Sequence, residues 1–163
     1  AGSVLIATTG TNGYVIVDAV RFVKTQTLPE IIVDNADSTG VSITGGWTSS
    51  TYSPGYYGSD YLHDGNTGQG TKSVRFTPTI PTTGDYEVFA RWTANSSRAS
   101  NVPFDITRSG GTDTVLVDQR YNDGVWVSLG VYAFDAGTAG SVTISNTGTS
   151  GYVIADAVRL VPR

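Results

Sequence analysis

The sequence predicts an all-β fold, a β-sandwich of jelly-roll type with about eight or nine strands. Three observations carry this. Short runs rich in Val, Ile, Tyr, Phe and Thr recur at intervals of roughly ten residues. The stretches between them are built from Gly, Ser, Asn, Asp and Pro, residues that form turns. No apolar run keeps helical spacing for more than two turns.

The elements follow in order. Ser3 to Ala7, the turn TTGTNG and Tyr14 to Val23 read as a β-hairpin, because Asn12-Gly13 supplies the positive φ that tight turns need. Residues 24–29 are polar, end in proline and read as a linker. The complete unit, residues 30–163, opens with EIIVDN and VSITGGW. A long loop rich in Gly, Tyr and Ser covers roughly residues 48–70. Strands resume with KSVRFTP, where Val74 and Phe76 alternate with Ser73 and Arg75. After a turn at Pro81 to Gly84 comes DYEVFARWTA, then the polar loop NSSRASN, then VPFDITRS. Gly110-Gly111 turns the chain into DTVLVDQ, and YNDG introduces VWVSLGVYAF. A hairpin, SVTIS and YVIADAVRLV joined by NTGTSG, closes the unit.

That closing hairpin occurs twice. Ala1 to Val23 aligns without a gap on Ala139 to Val161, 138 residues later, with 17 of 23 positions identical. Repetition at a fixed offset sets the size of the folding unit. The chain thus holds one whole unit and the closing segment of another, either the end of a preceding repeat or a strand-donating tail. In the last strand Tyr152, Ile154, Val158 and Leu160 face one way, and Val153, Ala155, Ala157 and Val161 the other. A sandwich strand with one wet face alternates apolar and polar, so this one should be covered on both sides. Its copy, with Val4, Ile6, Tyr14, Ile16, Val20 and Phe22, should then seek a sheet in a neighbouring unit.

Composition excludes several classes. Cysteine is absent, so disulfides and thiolate metal sites are ruled out. The net charge is −4 with two lysines, Lys24 and Lys72, a surface that repels nucleic acid. No apolar stretch is long enough for membrane insertion. The Ser/Thr/Gly richness suits an extracellular or cell-surface protein.

Candidate functional residues are few. Trp47, Tyr52, Tyr56, Tyr57 and Tyr61 crowd the long loop among Gly, Ser and Thr, and such rings stack on sugar faces while polar neighbours hold the hydroxyls. Asp64, Asn66 and Gln69 offer oxygen ligands of the kind calcium uses, although without EF-hand spacing. No other cofactor is expected. His63 is the only histidine and reads as a polar loop residue, since no motif sets it between a nucleophile and a carboxylate. Trp92 and Trp126 read as core. Asp156, with its copy Asp18, breaks an apolar stripe, so it should cap backbone amides or pair with an arginine. No catalytic activity is expected.

Six short motifs, in this order, give the chain a resemblance to a known family. They are VDN (Val33 to Asn35), YYGSDYLHDGNTGQGTKSVRFTP, GDYEVFARWTANSSRASNVPFDI, VDQ (Val117 to Gln119), WVSLG (Trp126 to Gly130) and GYVIADAVRLVP. From Glu30 to Pro162 the unit resembles the golvesin and xanthan-lyase C-terminal-like domains. The resemblance implies a non-catalytic β-sandwich appended to large secreted bacterial proteins, some of which also degrade polysaccharide. The repeated hairpin favours a structural repeat of an extracellular fibre, adhesin or surface protein whose partners are other copies of itself. The alternative is a carbohydrate-binding module on a secreted polysaccharide-active enzyme, with polysaccharide as the partner.

Overall fold

The computed structural model describes residues 3–21 and 28–163. Among them twelve strands form, all after residue 30. They are β1 (Ile31–Asp34), β2 (Val41–Thr44), β3 (Thr48–Ser50), β4 (Tyr61–His63), β5 (Ser73–Phe76) and β6 (Gly84–Arg91), followed by β7 (Val102–Arg108), β8 (Gly111–Val117), β9 (Val127–Phe134), β10 (Ser141–Ser145), β11 (Ile154–Ala155) and β12 (Ala157–Pro162). Two main sheets, ordered β1-β12-β6-β9 and β2-β5-β10-β7-β8, make the sandwich, and a small sheet, β11-β4-β3, sits beside them. Every pairing between named strands is antiparallel.

The alternation read from the sequence becomes the core. Tyr86, Val88 and Ala90 of β6 point inward, as do Phe104 and Ile106 of β7, Val142 and Ile144 of β10, and Val158 and Leu160 of β12. Trp92 is fully buried against Phe104, and its indole N–H donates to the Tyr121 carbonyl at 2.9 Å. That bond satisfies the one polar atom the ring carries inside. Burying a side chain of this size contributes on the order of 2–3 kcal/mol. β12 is covered on its outer side as well: the Arg159 guanidinium lies between the rings of Phe89, at 4.4 Å, and Trp126, at 5.0 Å. Trp126 is therefore half-buried under Arg159 and Tyr57 rather than part of the core.

The sequence suggested fewer strands. β3 and β4 lie inside the stretch read as one long loop, and β11 is split from β12 at Asp156. Strands of two or three residues are too short to show alternation, so only their partners reveal them.

The N-terminal copy departs from its expected form. Among the described residues 3–21 there is no strand, only a turn in which the Thr11 backbone N–H and hydroxyl donate to the Thr8 carbonyl at 3.1 and 2.7 Å. The reason lies in the sheets. The slots this sequence would occupy are filled by its twin, with β10 between β5 and β7 and β12 between β1 and β6. A lone two-stranded ribbon gains too little in water to form. Phe22 lies outside the described residues.

Strand directions place the chain ends. Ile31, at the start of β1, sits opposite Leu160, near the end of β12, so both lie at one pole of the sandwich. Asp34 and Ala157, at the other ends of the same strands, mark the opposite pole.

Candidate functional site

The opposite pole carries a concave site, and a glycine makes it possible. Gly151 has φ 121°, and a Cβ there would come within 2.9 Å of the Ala99 nitrogen and the Arg98 carbonyl carbon. The β10–β11 loop can thus lie directly against the β6–β7 loop. Two backbone bonds fix the contact: Tyr152 N–H donates to Ser97 O at 3.0 Å, and Ala99 N–H to Tyr152 O at 2.9 Å. Tyr152 and Arg98 are held side by side.

Arg98 is the centre of this site. Its guanidinium lies 5.9 Å from the ring centroid of Tyr61 and 5.8 Å from that of Tyr152. Nη2 donates to the Ser53 hydroxyl at 3.2 Å, and Nε to the Thr93 carbonyl at 3.4 Å. Around it opens a cavity of about 360 Å³, lined also by Ser50, Tyr52, His63, Asn95 and Ser97. Tyr52 stands at its rim with 92 % of its surface exposed.

Charge in the cavity is one-sided. Burial, and then the Arg98 charge, push the His63 pKa below its usual value, so the imidazole is neutral at neutral pH. Its Nδ1 accepts from the Gly65 N–H at 3.1 Å. Burial drives the Tyr61 phenol upward, but the Ser50 and Ser53 groups at its oxygen, with Arg98, outweigh this and lower its pKa.

The five loop aromatics do not form one platform. Tyr61 is 2 % exposed and belongs to the core. Trp47 and Tyr56 pack against the core, the Trp47 indole N–H donating to Thr44 O at 3.1 Å. Tyr57 lies against Trp126, with ring centroids 5.6 Å apart. Of the five, Tyr52 and Tyr61 line the cavity. Alternation along the loop could not place them, because the short strands β3 and β4 turn the chain twice.

Asp64 and Asn66 spend their side-chain oxygens within the fold, and Gln69 enters the same network as a donor. Asp64 Oδ1 accepts from the N–H groups of Asn66 and Val153, both at 2.9 Å, and Oδ2 accepts from the Asn146 amide at 3.1 Å. Asn66 Oδ1 accepts from Gln69 Nε2 and Gly151 N, both at 3.2 Å. The Lys72 ammonium donates to Asp64 O at 2.6 Å and to the Thr67 hydroxyl at 2.9 Å. This loop already holds a cation, and that cation is a lysine. Among the described residues no cluster of three His, Asp or Glu side chains is arranged to hold a metal ion.

Asp156 behaves as its position in an apolar stripe implied. Both carboxylate oxygens accept from the Tyr57 N–H, at 3.0 and 3.1 Å. Burial raises its pKa to about 8, with Asp34 and Asp60 adding to the rise and the Tyr57 bond and Arg91 opposing it.

The comparisons with known proteins agree with this fold. The model of the golvesin C-terminal domain matches residues 31–162. The chain belongs to the golvesin C-terminal domain family. It is 50% identical over 137 residues to a xanthan lyase from Bacillus sp. (strain GL1), covering 82% of this chain but 15% of that enzyme. The solved structure of a Paenibacillus xanthan lyase matches with a TM-score of 0.81 at 53% identity, over 82% of this chain and 13% of the enzyme. The chain thus spans a small part of the relatives it matches. A family 35 carbohydrate-binding module from Clostridium thermocellum shares the fold, with a TM-score of 0.59 at 14% identity over 83% of this chain and all of the module. The chain thus shares its fold with a carbohydrate-binding module, and its family includes parts of two xanthan lyases.

Proposed function

We propose that this golvesin domain is a non-catalytic, extracellular carbohydrate-binding module that holds a polysaccharide-active enzyme on its polymer. The Arg98 cavity carries this reading. It is concave, it gathers hydroxyls, an amide and aromatic rings from separate loops, and it lies at the pole away from Ile31 and Pro162, where the chain enters and leaves. Such mixed linings orient sugar hydroxyls while a ring covers the apolar face of the sugar. Tyr52 is the exposed ring. The likeness to two xanthan lyases selects the polymer to try first. Titration of the chain with xanthan should show saturable binding, and Tyr52→Ala should weaken it about five- to tenfold, the equivalent of about 1 kcal/mol of stacking, with no change in the unfolding midpoint. Unchanged affinity in the variant would remove this cavity from the reading.

A second role rests on the duplicated segment. Val4, Ile6, Ile16 and Val20 are 57, 45, 85 and 49 % exposed, whereas their counterparts Val142, Ile144, Ile154 and Val158 are at most 1 % exposed. The segment carries the side chains of closing strands with no sheet to close. Its partner in this reading is a further unit of the same fold that lacks its own closing strands, as the preceding repeat of a tandem array would. A fibre or adhesin made of such units finds no support among the relatives named above, which are polysaccharide-active enzymes and a binding module.

A further inference from the structure

The pole that carries the cavity has one unusual electrostatic property. We infer that the cavity takes a carboxylate-bearing sugar, with Arg98 as the residue that reads the charge; this rests on the carbohydrate-binding reading above. The whole chain carries a net charge of −4, yet no Asp or Glu lines this cavity. Among the described residues, no ion pair includes Arg98. His63, the other titratable nitrogen in the lining, stays neutral because of its burial and of Arg98 itself. Behind it, the Lys72 ammonium donates to the Asp64 main-chain carbonyl at 2.6 Å, and the Asp64 carboxylate accepts from the Asn66 and Val153 N–H groups and the Asn146 amide. The guanidinium is left as a half-buried cation with no opposite charge in the cavity.

Its orientation is fixed as well. Nε and Nη2 are held by Thr93 O and Ser53 Oγ, and the Tyr61 and Tyr152 rings lie on either hand. A fork held this way meets a carboxylate with little loss of side-chain freedom, and charge-assisted bonds of this kind are about twice as strong as neutral ones. A neutral hexose would leave the charge partly desolvated and unanswered, which disfavours it. The cavity thus selects by charge, while Tyr52 at the rim contributes stacking that is indifferent to charge.

The test uses the full chain and two forms of one polymer, native xanthan and xanthan whose carboxyls have been chemically reduced to primary alcohols. Native polymer should bind at least tenfold more tightly, and raised salt should narrow the gap. Arg98→Gln should bring the two polymers to equal affinity, whereas Tyr52→Ala should weaken both by the same factor. Arg98→Lys should keep part of the preference, since it keeps the charge and loses the fork. The comparison in the unaltered chain needs no variant, so a destabilised Arg98→Gln protein does not blunt it. Equal binding of native and reduced xanthan overturns the charge assignment and leaves the module reading standing. Binding of neither polymer overturns both.

Discussion

Residues 3–21 and 141–159 are nearly the same sequence in two conditions. In the second copy the segment is woven into all three sheets. β10 lies between β5 and β7, β11 pairs with β4, and β12 lies between β1 and β6. In the first copy it forms no strand and leaves its valines and isoleucines in water. Intrinsic β-propensity is equal in the two, so propensity does not decide. What decides is the availability of partner edges, which supply both ladder hydrogen bonds and a core to bury against. Two of the five differences between these segments matter for the same reason. Thr8 stands where Asn146 sits, and Val17 where Ala155 sits. Asn146 is fully buried: its amide donates to Asp64 and to the carbonyls of Thr67 and Gly68, while its oxygen accepts from Gly70 and Lys72. A threonine cannot make these five bonds, and a valine overfills the site of a fully buried alanine. The N-terminal copy is therefore a poor match to this unit's own slots.

The largest difference should appear on placing a charge at matched positions. Val158→Asp puts a carboxylate into a fully buried site and should cost at least about 4 kcal/mol, enough to abolish cooperative unfolding. Val20→Asp should leave the chemical denaturation curve of the same chain unchanged. A comparable loss from Val20→Asp would mean that the N-terminal copy is already packed in a sheet.

The next effect is a pH dependence confined to one copy. Folding raises the Asp156 pKa from 3.8 to about 8. Below pH 4 the group is protonated in both folded and unfolded chains. Between about pH 4 and 8 the unfolded chain releases this proton and the folded chain keeps it, so the group's contribution to stability falls as pH rises through that window. Asp156→Asn should flatten this decline, by roughly a few kcal/mol across the range, whereas Asp18→Asn should not alter it. Denaturant midpoints measured from pH 4 to pH 9 decide the matter.

Smaller still is the effect of grafting the N-terminal residues onto the C-terminal copy. Asn146→Thr should cost roughly 2–3 kcal/mol by leaving the Asp64 carboxylate and the Gly70 and Lys72 N–H groups short of partners. Ala155→Val should cost about 1–2 kcal/mol through overpacking. Thr8→Asn and Val17→Ala should be neutral in this chain. If Asn146→Thr proved neutral too, the Asp64 network would not hold this loop in place.

The sandwich itself was legible because its long strands, β6, β7 and β9, are long enough to show alternation and are bounded by turn residues. The double coverage of β12 was legible in the apolar character of both its faces, and the capping role of Asp156 in its isolation there. The cavity was legible only at its rim. Tyr52 drew attention as part of an aromatic run, but Arg98 stood in a loop that read as merely polar, and Tyr152 in a strand that read as core. What joins them is the close approach of two loops at Gly151, a contact between residues some fifty positions apart that no local pattern encodes. The role of the loop from Asp64 to Gly70 was hidden for a related reason. Its side-chain oxygens at Asp64 and Asn66 serve the fold, while the Asp64 carbonyl and the Thr67 hydroxyl accept from the Lys72 ammonium.

The shared pole of Ile31 and Leu160 has a mechanical consequence. β1 is an edge strand, paired with β12 alone, and its covalent entry lies beside the exit from β12. Tension applied between these two ends would unzip the pair one rung at a time, starting at Ile31, and such a geometry yields at low force. Tension applied between a bound polymer at the far pole and either end runs along the strands and loads the rungs together in shear. On the carbohydrate-binding reading proposed above, the same domain would be a stiff grip under load between polymer and chain end, and a weak link when the chain is stretched end to end.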